Sequence, residues 1–471
     1  MAKAKEANPT EQTTPTQDQQ PGFSIEKIYV KDLSLEIPNA PAVFMQRETP
    51  QVGIELGNKV TRLEEGVFEV VLSVTVTSKI EDKTVFLVEV AQAGIFQLRN
   101  IPQENIEAIV AVLGALVPYW GLYLQSIGFS PVDIGTLMAV LMLSRIVAPN
   151  VWAYIADHSE NRMRVVRVAS FLTVVLFAGV FLGTGFWWLV LVMLAFSFFW
   201  HASLPLIEVQ VMHHTRNKPG AYGRVRLWGS LGFIASVAAL GPVLDAAGPW
   251  WILPALIVLM AGIWLYSLTL PESEMAGHME HAGPFMKVVM RPEILAFLLA
   301  CLLMQVSHGP YYTFYSIYLE GHGYSKTVIG LLWAYAVVAE IVVFLAMTRL
   351  LKRVSNRAVL MASFALAAAR WLLIGYFPDS LPVLIVAQTL HAASFGSFHA
   401  AGMQMVYKFF VGKHQHRGQA VYSTVAFGVG GAIGSYYSGH TWETLGPGIT
   451  FAIAAAAAGM ALLVAMRLER N

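Results

Sequence analysis

Residues 293–350 read EILAFLLACLLMQVSHGPYYTFYSIYLEGHGYSKTVIGLLWAYAVVAEIVVFLAMTRL. Two long apolar runs, 293–318 and 327–350, are separated by a short segment with glycine, histidine and lysine. Each run exceeds the roughly 20 apolar residues that cross a bilayer as an α-helix. This stretch therefore predicts two membrane-spanning helices joined by a short connection.

The same pattern extends outward over residues 109–471. It predicts twelve spans, at about 107–126, 131–155, 165–183, 187–211, 222–244, 249–270, 293–318, 327–350, 356–376, 381–409, 415–440 and 447–467. The longest hydrophilic interruption, PESEMAGHMEHAGPFMKVVMRPE, follows the sixth span. We therefore expect six spans in an N-terminal half (109–270), a central loop (271–292) and six spans in a C-terminal half (293–471).

Basic residues are concentrated in alternate loops. The loops after odd-numbered spans carry Lys326, whereas the loops after even-numbered spans carry Arg162, Arg164, Arg167, Arg216, Lys218, Lys287, Arg291, Lys352, Arg353, Arg357, Lys413 and Arg417. Cytoplasmic loops of membrane proteins have an excess of lysine and arginine. Both termini and the even-numbered loops are therefore expected in the cytoplasm.

Composition divides the chain into two parts. Of its 471 residues, 56% are apolar and 13% charged, too few charges to cover a soluble protein of this size. Residues 1–108 hold 10 Lys and Arg against 16 Asp and Glu, and residues 109–471 hold 21 against 14. An acidic, soluble segment is therefore expected before a weakly basic membrane segment that contacts the lipid bilayer.

Several classes of function have no support in the sequence. The single cysteine, Cys301, lies in an apolar run, so neither a disulfide nor a cysteine-based zinc site is expected. We find no Walker loop, no metal-ligand spacing and no nucleophile–base motif. No basic stripe favours nucleic acid. We therefore expect neither an enzyme nor a cofactor.

The acidic segment predicts a small antiparallel sheet. Residues 1–21 hold almost no large apolar side chains and are expected to be a disordered tail. They also lack the apolar core of a signal peptide. Beyond them, FSIEKIYVKDLSLEI, VFEVVLSVTVTSKI and TVFLVEVAQAGIFQL alternate apolar and polar residues, with QVGIELGNKVTRL as a weaker fourth run. This period of two is typical of strands, and IEDK predicts a hairpin connection.

The order of these runs resembles SecB, the bacterial protein-export chaperone, over residues 22–112. The resemblance implies a cytoplasmic SecB-like domain (22–108) that binds unfolded preproteins and passes them to an export ATPase. After Val112 the sequence departs from the family, whose main helices and acidic tail do not follow.

The membrane segment resembles the major facilitator superfamily, with IADHSENRMR after span 2 and a weak echo, TRLLKRVSNR, after span 8. YGRVRLWGSLGF, RWLLIGYF and QTLHAASFGSFHAAGM narrow the resemblance to the phenylpropionate permeases, relatives of lactose permease. The expected fold is thus mainly α, a 6+6 bundle preceded by a small sheet. The resemblance implies a proton-coupled symporter of a small organic solute, such as an aromatic acid, in the bacterial inner membrane.

Ionisable side chains inside membrane spans are costly unless they are paired or hydrated, so each one indicates a functional site. Glu208 lies late in span 4 and Arg226 early in span 5. Lactose permease has an acid–arginine pair on the same two helices, which implies proton coupling at Glu208 and substrate binding at Arg226. The alternative is a salt bridge at the cytoplasmic edge that holds the two helices together.

A second group lies in the C-terminal half, with Glu340 in span 8, Arg370 in span 9 and His391 in span 10. The related permease has an acid, an arginine and a histidine on these helices. We expect Glu340, and also His391, to carry protons while Arg370 binds substrate. The alternatives are a structural Glu340–Arg370 pair and a histidine bonded to a backbone carbonyl. Where lactose permease has a glutamate after its histidine, this sequence has Ser394.

Further candidates for substrate binding are Arg145 in span 2 and Gln305, His308, Tyr311 and Tyr312 in span 7. Arg145 could equally pair with an acid on a neighbouring helix. The tyrosines could form an aromatic wall for a flat solute or, alternatively, a belt at the membrane interface.

The joining of the two segments leaves three hypotheses open. The chain is a proton-coupled transporter with a chaperone-like appendage, or an export chaperone tethered to the membrane. In the third, the junction is not adapted to either function and reflects recombination, a misjoined gene or a deliberate fusion, because IPQENIEA stands where span 1 should be apolar.

Overall fold

The computed structural model describes residues 22–41, 43, 51–64, 67–80, 83–99, 104–159, 161–215, 221–269, 285–351 and 353–468. The chain forms two compact units, 1–102 and 103–471. The predicted tail 1–21 and most of the predicted central loop lie outside the described residues.

The first unit is a four-stranded antiparallel sheet, as predicted. Its strands are β1 (Gly22–Glu36), β2 (Gln51–Glu64), β3 (Val67–Ile80) and β4 (Lys83–Arg99), in the order β1-β4-β3-β2. Ile80 pairs with Lys83, which confirms the predicted hairpin between β3 and β4. The alternation of β-branched and polar residues fits the pleat of a sheet, in which successive side chains point to opposite faces.

A buried carboxylate links strands of this sheet that are not neighbours. Glu69 of β3 accepts hydrogen bonds from the Tyr29 hydroxyl and from Lys31 Nζ at 2.6 Å, both on β1. The hydrogen bond to Glu69 raises the pKa of Lys31 and that of Tyr29. These contacts reach across β4, so they fix the position of the edge strand.

The second unit contains the twelve predicted spans as helices. In the N-terminal half they are Glu104–Ser126, Pro131–Asp157, Arg162–Phe177 with a 3₁₀ extension Ala178–Leu182, Phe186–Thr215, Ala221–Ala247, and Ile252–Thr269 after a 3₁₀ turn Pro249–Trp251. In the C-terminal half, span 7 is Pro292–Ser307 with Gly309–Gly321, span 8 is Lys326–Leu350 and span 9 is Asn356–Tyr376. Span 10 is Leu381–His391 with Ala392–Ser397 and Phe398–Phe409, span 11 is Gln415–Ser423 with Thr424–Gly430 and Gly431–Leu445, and span 12 is Pro447–Ala465. A short helix, Phe285–Val289, precedes span 7.

Among the described residues, nine helices are long and apolar enough to cross a membrane. Two shorter apolar helices, Val110–Ser126 and Phe186–Ala202, belong to spans 1 and 4. Large apolar side chains such as Leu182 and Trp187, each 80% exposed, cover the outside of the bundle. This distribution is the one expected for a multi-pass protein whose solvent is lipid.

The two halves are in close backbone contact at the end that carries the loops after odd-numbered spans. At the start of span 2 and the end of span 11, a Cβ added at Gly135 would lie 2.8 Å from Gly439 Cα, so only glycine permits this approach. Between spans 1, 5 and 8, the Tyr119 hydroxyl donates to the carbonyl oxygens of Val237 at 2.7 Å and Lys326 at 3.3 Å.

Asp245, at the end of span 5, also connects the halves at this end. Its carboxylate accepts hydrogen bonds from the backbone N–H groups of Lys326 and Thr327 at 2.8 and 2.9 Å and from the Thr327 hydroxyl at 2.5 Å. The first N–H groups of a helix have no partner within the helix. Asp245 of the N-terminal half therefore caps span 8 of the C-terminal half.

We expect Asp245→Ala to lower the free energy of unfolding by about 1 kcal/mol, the usual cost of losing a helix cap. Thermal unfolding of the purified full chain in detergent measures this loss. Asp379→Ala is the matched control, because Asp379 is 83% exposed at the same end and lies 4.0 Å from His322. Equal melting temperatures for the two variants would contradict the capping role.

Candidate functional site

Three spans of the C-terminal half depart from regular α-helix near their middles. Span 7 is divided at His308, and spans 10 and 11 contain π-helical segments, Ala392–Ser397 and Thr424–Gly430. The interruptions meet, because the Phe395 ring lies 6.3 Å from the His308 ring and 6.4 Å from the Phe427 ring. π-Helical segments within α-helices are frequent at functional sites.

Arg370 is completely buried beside these interruptions. Its Nε donates to the Ala387 carbonyl at 3.0 Å, Nη2 to Gln388 Oε1 at 2.8 Å and Nη1 to Ser394 Oγ at 3.3 Å. These hydrogen bonds fix the guanidinium on span 10 through neutral acceptors. Ser394, the position that departs from lactose permease, is thus a partner of Arg370.

Aromatic rings cover the Arg370 guanidinium. Its Cζ lies 4.1 Å from the centre of the Tyr311 ring and 4.6 Å from that of Trp371. Trp333 in turn lies 4.4 Å from Tyr311. A cation over an aromatic face gains energy when both are removed from water, so these rings offset part of the cost of burying the charge.

Gln388 belongs to the site, although the sequence alone does not predict it. Its Oε1 accepts hydrogen bonds from Arg370 and, at 3.3 Å, from the Tyr311 hydroxyl. It therefore joins spans 7, 9 and 10. Its role depends on these tertiary contacts, and the side chain is fully buried.

Glu340 of span 8 and His391 of span 10 lie close together. Glu340 Oε2 is 3.6 Å from His391 Nε2, and both side chains are largely buried. The hydrogen bonds of Arg370 go to the neutral acceptors above. The His391 ring is stacked on Phe395 with 5.4 Å between their centres. Direct proton exchange needs a hydrogen bond of about 2.6–3.2 Å or one bridging water, so a small movement of either side chain would bring this pair into reach.

His308 has a different environment from His391. Its Nδ1 is 2.8 Å from the Met304 carbonyl oxygen, which requires the proton on Nδ1 and leaves Nε2 as an acceptor. Among the described residues, neither His308 Nε2 nor Gln305 Nε2 has a hydrogen-bond partner, and both atoms are buried. A solute or a water molecule could bond to them once neighbouring side chains move aside.

The aromatic residues of span 7 lie inside the bundle. Tyr311 and Tyr315 are fully buried, and Tyr312 is half-buried with its ring stacked 5.7 Å from His308. Their burial excludes the alternative of a lipid-facing belt for Tyr311 and Tyr315. Part of the Tyr312 ring remains exposed next to His308.

Arg145 connects the N-terminal half to this region. Its side chain is half-buried, and its Cζ lies 5.1 Å from the centre of the Phe427 ring in the π segment of span 11. Phe427 contacts Phe395, which in turn contacts His391. Arg145 therefore lies at the boundary between the halves, separated from Glu340 and His391 by aromatic rings.

Glu208 and Arg226 cannot be placed in the same detail. The backbones of both residues belong to the helices of spans 4 and 5, but their side chains lie outside the described residues. The hypothesis that they pair stays a prediction.

Comparison with known proteins follows the same division of the chain. The profile of the MFS_1 like family matches residues 109–453. The chain belongs to this family. It is 31% identical over 344 residues to a probable 3-phenylpropionic acid transporter of Escherichia coli (strain K12), covering 72% of this chain and 90% of that protein. The major facilitator fold and a role in secondary transport, inferred from the sequence, are thereby confirmed.

Solved structures show the same fold for the membrane unit. The crystal structure of the nucleoside transporter NupG aligns with a TM-score of 0.68 and 16% identity, over 78% of this chain and 97% of that one. A bacterial homologue of the human lysosomal transporter Spinster, in an inward-facing and unoccupied conformation, aligns with a TM-score of 0.58 and 14% identity, over 78% and 96%.

The sheet unit belongs to a second family. The profile of preprotein translocase subunit SecB matches residues 16–126. The protein-export protein SecB of Methylobacillus flagellatus is 70% identical over 102 residues, and the chain spans 65% of its length. Residues 109–126 are matched by both families. The change from one family to the other therefore falls within span 1, which is an uninterrupted helix from Glu104 to Ser126.

Gln388→Leu tests the framework around Arg370. The substitution leaves a guanidinium donor and the Tyr311 hydroxyl without their acceptor, which costs about 1–3 kcal/mol for buried groups. We expect a clear fall in the melting temperature of Gln388→Leu and a smaller fall for Gln388→Glu, which retains an acceptor. Val386→Ala on the exposed side of the same helix is the control. A Gln388→Leu chain as stable as this control would contradict the proposed framework.

Proposed function

We propose that the chain is a proton-coupled symporter of a small organic solute, with an aromatic carboxylate such as 3-phenylpropionate as the first candidate. The observation that carries the proposal is the Glu340–His391 contact of 3.6 Å inside the bundle, beside the buried Arg370. In this proposal Glu340 and His391 hold the coupling proton.

The physical reason for proton coupling is the cost of charge inside a membrane protein. An ionised carboxylate that is largely buried is stable only while it is paired or hydrated. Binding a proton neutralises Glu340 and lets the bundle rearrange without moving an uncompensated charge. His391, with Nε2 next to the carboxylate, offers a second position for the same proton.

The preference for an aromatic acid rests on the surroundings of this pair. Tyr312, Phe395 and Phe427 are half-buried rings at the boundary between the halves and could stack on a flat solute. Arg145 and Arg370 supply positive potential for a carboxylate, while His308 Nε2 and Gln305 Nε2 are available as hydrogen-bonding groups. The printed name of the Escherichia coli relative points to the same class of solute.

Two further assignments belong to this proposal. The excess of lysine and arginine in the even-numbered loops supports a cytoplasmic location for both termini. Glu208 and Arg226 are proposed as a second proton and substrate position, between spans 4 and 5.

Glu340→Gln is the central test. We expect it to abolish accumulation of radiolabelled 3-phenylpropionate against its gradient in membrane vesicles with an imposed proton gradient, because the amide cannot bind a coupling proton. Counterflow, the exchange of solute without net proton movement, should persist within a few-fold of the unchanged chain. Glu320→Gln, in the partly exposed Glu320–Lys326 pair at the end of span 7, is the control.

Two results of this experiment would count against the proposal. Full accumulation by Glu340→Gln would exclude Glu340 as the coupling group. Absence of both accumulation and counterflow in the unchanged chain would exclude 3-phenylpropionate as the solute, and benzoate and a nucleoside would then be tested in the same vesicles.

The sheet unit supports a second candidate function, the binding of unfolded protein at the membrane. Its edge strand β1 exposes Val30, Leu33 and Leu35, each by more than half. Exposed apolar side chains on a strand with unpaired backbone groups can bind an extended chain. If this function operates, the full chain in detergent should slow aggregation of a chemically unfolded client more than a Leu33→Lys/Leu35→Lys variant does. Equal aggregation rates with the two proteins would contradict it.

A further inference from the structure

We infer that the π segment Ala392–Ser397 is a positioning element, and that Gly396 within it is the residue that sets Glu340 against His391. The inference rests on the proposed coupling role of Glu340 and identifies what determines the geometry of that site.

The first observation is that two residues of span 10, five positions apart, lie against the same side chain. His391 Nε2 is 3.6 Å from Glu340 Oε2, and a Cβ added at Gly396 would be 3.0 Å from Glu340 Cγ. In an α-helix, residues five apart point in directions about 140° apart around the axis. In a π-helix, where hydrogen bonds join residues i and i+5, they lie one turn apart on the same side. The π segment is therefore what allows both residues to contact Glu340.

The second observation is the lack of space at Gly396. An added Cβ would be 3.0 Å from Glu340 Cγ and 3.9 Å from both Cα and Cβ of Glu340. A contact of 3.0 Å is closer than carbon atoms normally approach, so the Glu340 side chain would have to shift. Glycine thus lets span 8 approach span 10 closely enough for the carboxylate to reach the imidazole.

The third observation is that the same segment holds the neighbouring charge. Ser394, two residues before Gly396, accepts the hydrogen bond of Arg370 Nη1 at 3.3 Å. A six-residue segment therefore contacts both the guanidinium and the side chain of the carboxylate. A change in its winding would alter the surroundings of Arg370 and Glu340 together, so it joins the buried cation to the proton site.

Gly396→Ala tests the inference, with the counterflow rate of 3-phenylpropionate measured over a range of equal internal and external pH. Alanine forms helix better than glycine, and the contact is with a flexible side chain, so we expect the variant to insert and fold. Its pH of half-maximal exchange should shift by about half a unit or more, because the position of the carboxylate relative to the imidazole sets its proton affinity. Gly459→Ala in span 12 is the control, since an added Cβ there meets no atom within 4 Å.

The double variant Gly396→Ala/Glu340→Gln separates positioning from general damage. Glutamine keeps the crowded Cγ but removes the titrating group, so the pH dependence that Glu340 confers, and with it the effect of Gly396→Ala on that dependence, should disappear. A pH profile for Gly396→Ala that superimposes on that of the unchanged chain would overturn the inference. So would a shift in pH profile that persists in the Glu340→Gln background.

These outcomes differ from a failure of the proposed function. If Glu340→Gln alone retains proton-driven accumulation, the coupling role of Glu340 fails, and the inference fails with it. If Glu340→Gln abolishes accumulation while Gly396→Ala has no effect on the pH profile, the function stands and the positioning role alone is overturned.

Discussion

The buried guanidinium of Arg370 is the constraint around which the C-terminal half is organised. A full positive charge inside a membrane bundle is stable only when hydrogen bonds and polarisable groups replace water. Three neutral acceptors on span 10 and two aromatic faces supply that replacement. Because the acceptors come from span 10 and the rings from spans 7 and 9, the charge joins three helices.

Around this charge, spans 7, 10 and 11 depart from regular α-helix, whereas spans 8 and 9, which carry Glu340 and Arg370, are regular α-helices. The break at His308 and the two π segments place polar atoms and aromatic rings at the boundary between the halves. At one end of the bundle, by contrast, the halves are joined by backbone contact at Gly135 and Gly439 and by the Asp245 cap on span 8. Exchange of a solute through that end requires these contacts to separate, while the Arg370 framework lies within one half and can move as a unit.

Much of the fold could be predicted from the sequence, because the length of an apolar run and the alternation of a strand follow from the solvent that each must face. All twelve spans and four strands lie near their predicted positions, and the SecB and transporter segments were distinguished by residue pattern. The site was predictable only in part. Glu340, Arg370 and His391 could be predicted as site residues because ionisable side chains are rare in membrane spans. Their partners could not, because they depend on the π segment. Its wider turns change the directions in which the residues after His391 point. Gln388 and Asp245 act through tertiary contacts that no local pattern reveals.

The most direct test of the account is whether solute binding moves a proton. Purified full chain in weakly buffered detergent solution would be mixed with 3-phenylpropionate while the pH is recorded, with Glu340→Gln as the comparison. The account predicts a solute-dependent proton uptake or release by the unchanged chain that is absent from the variant. Saturable binding of the solute with no proton exchange at any pH between 5 and 8, the range in which imidazole groups usually titrate, would contradict it.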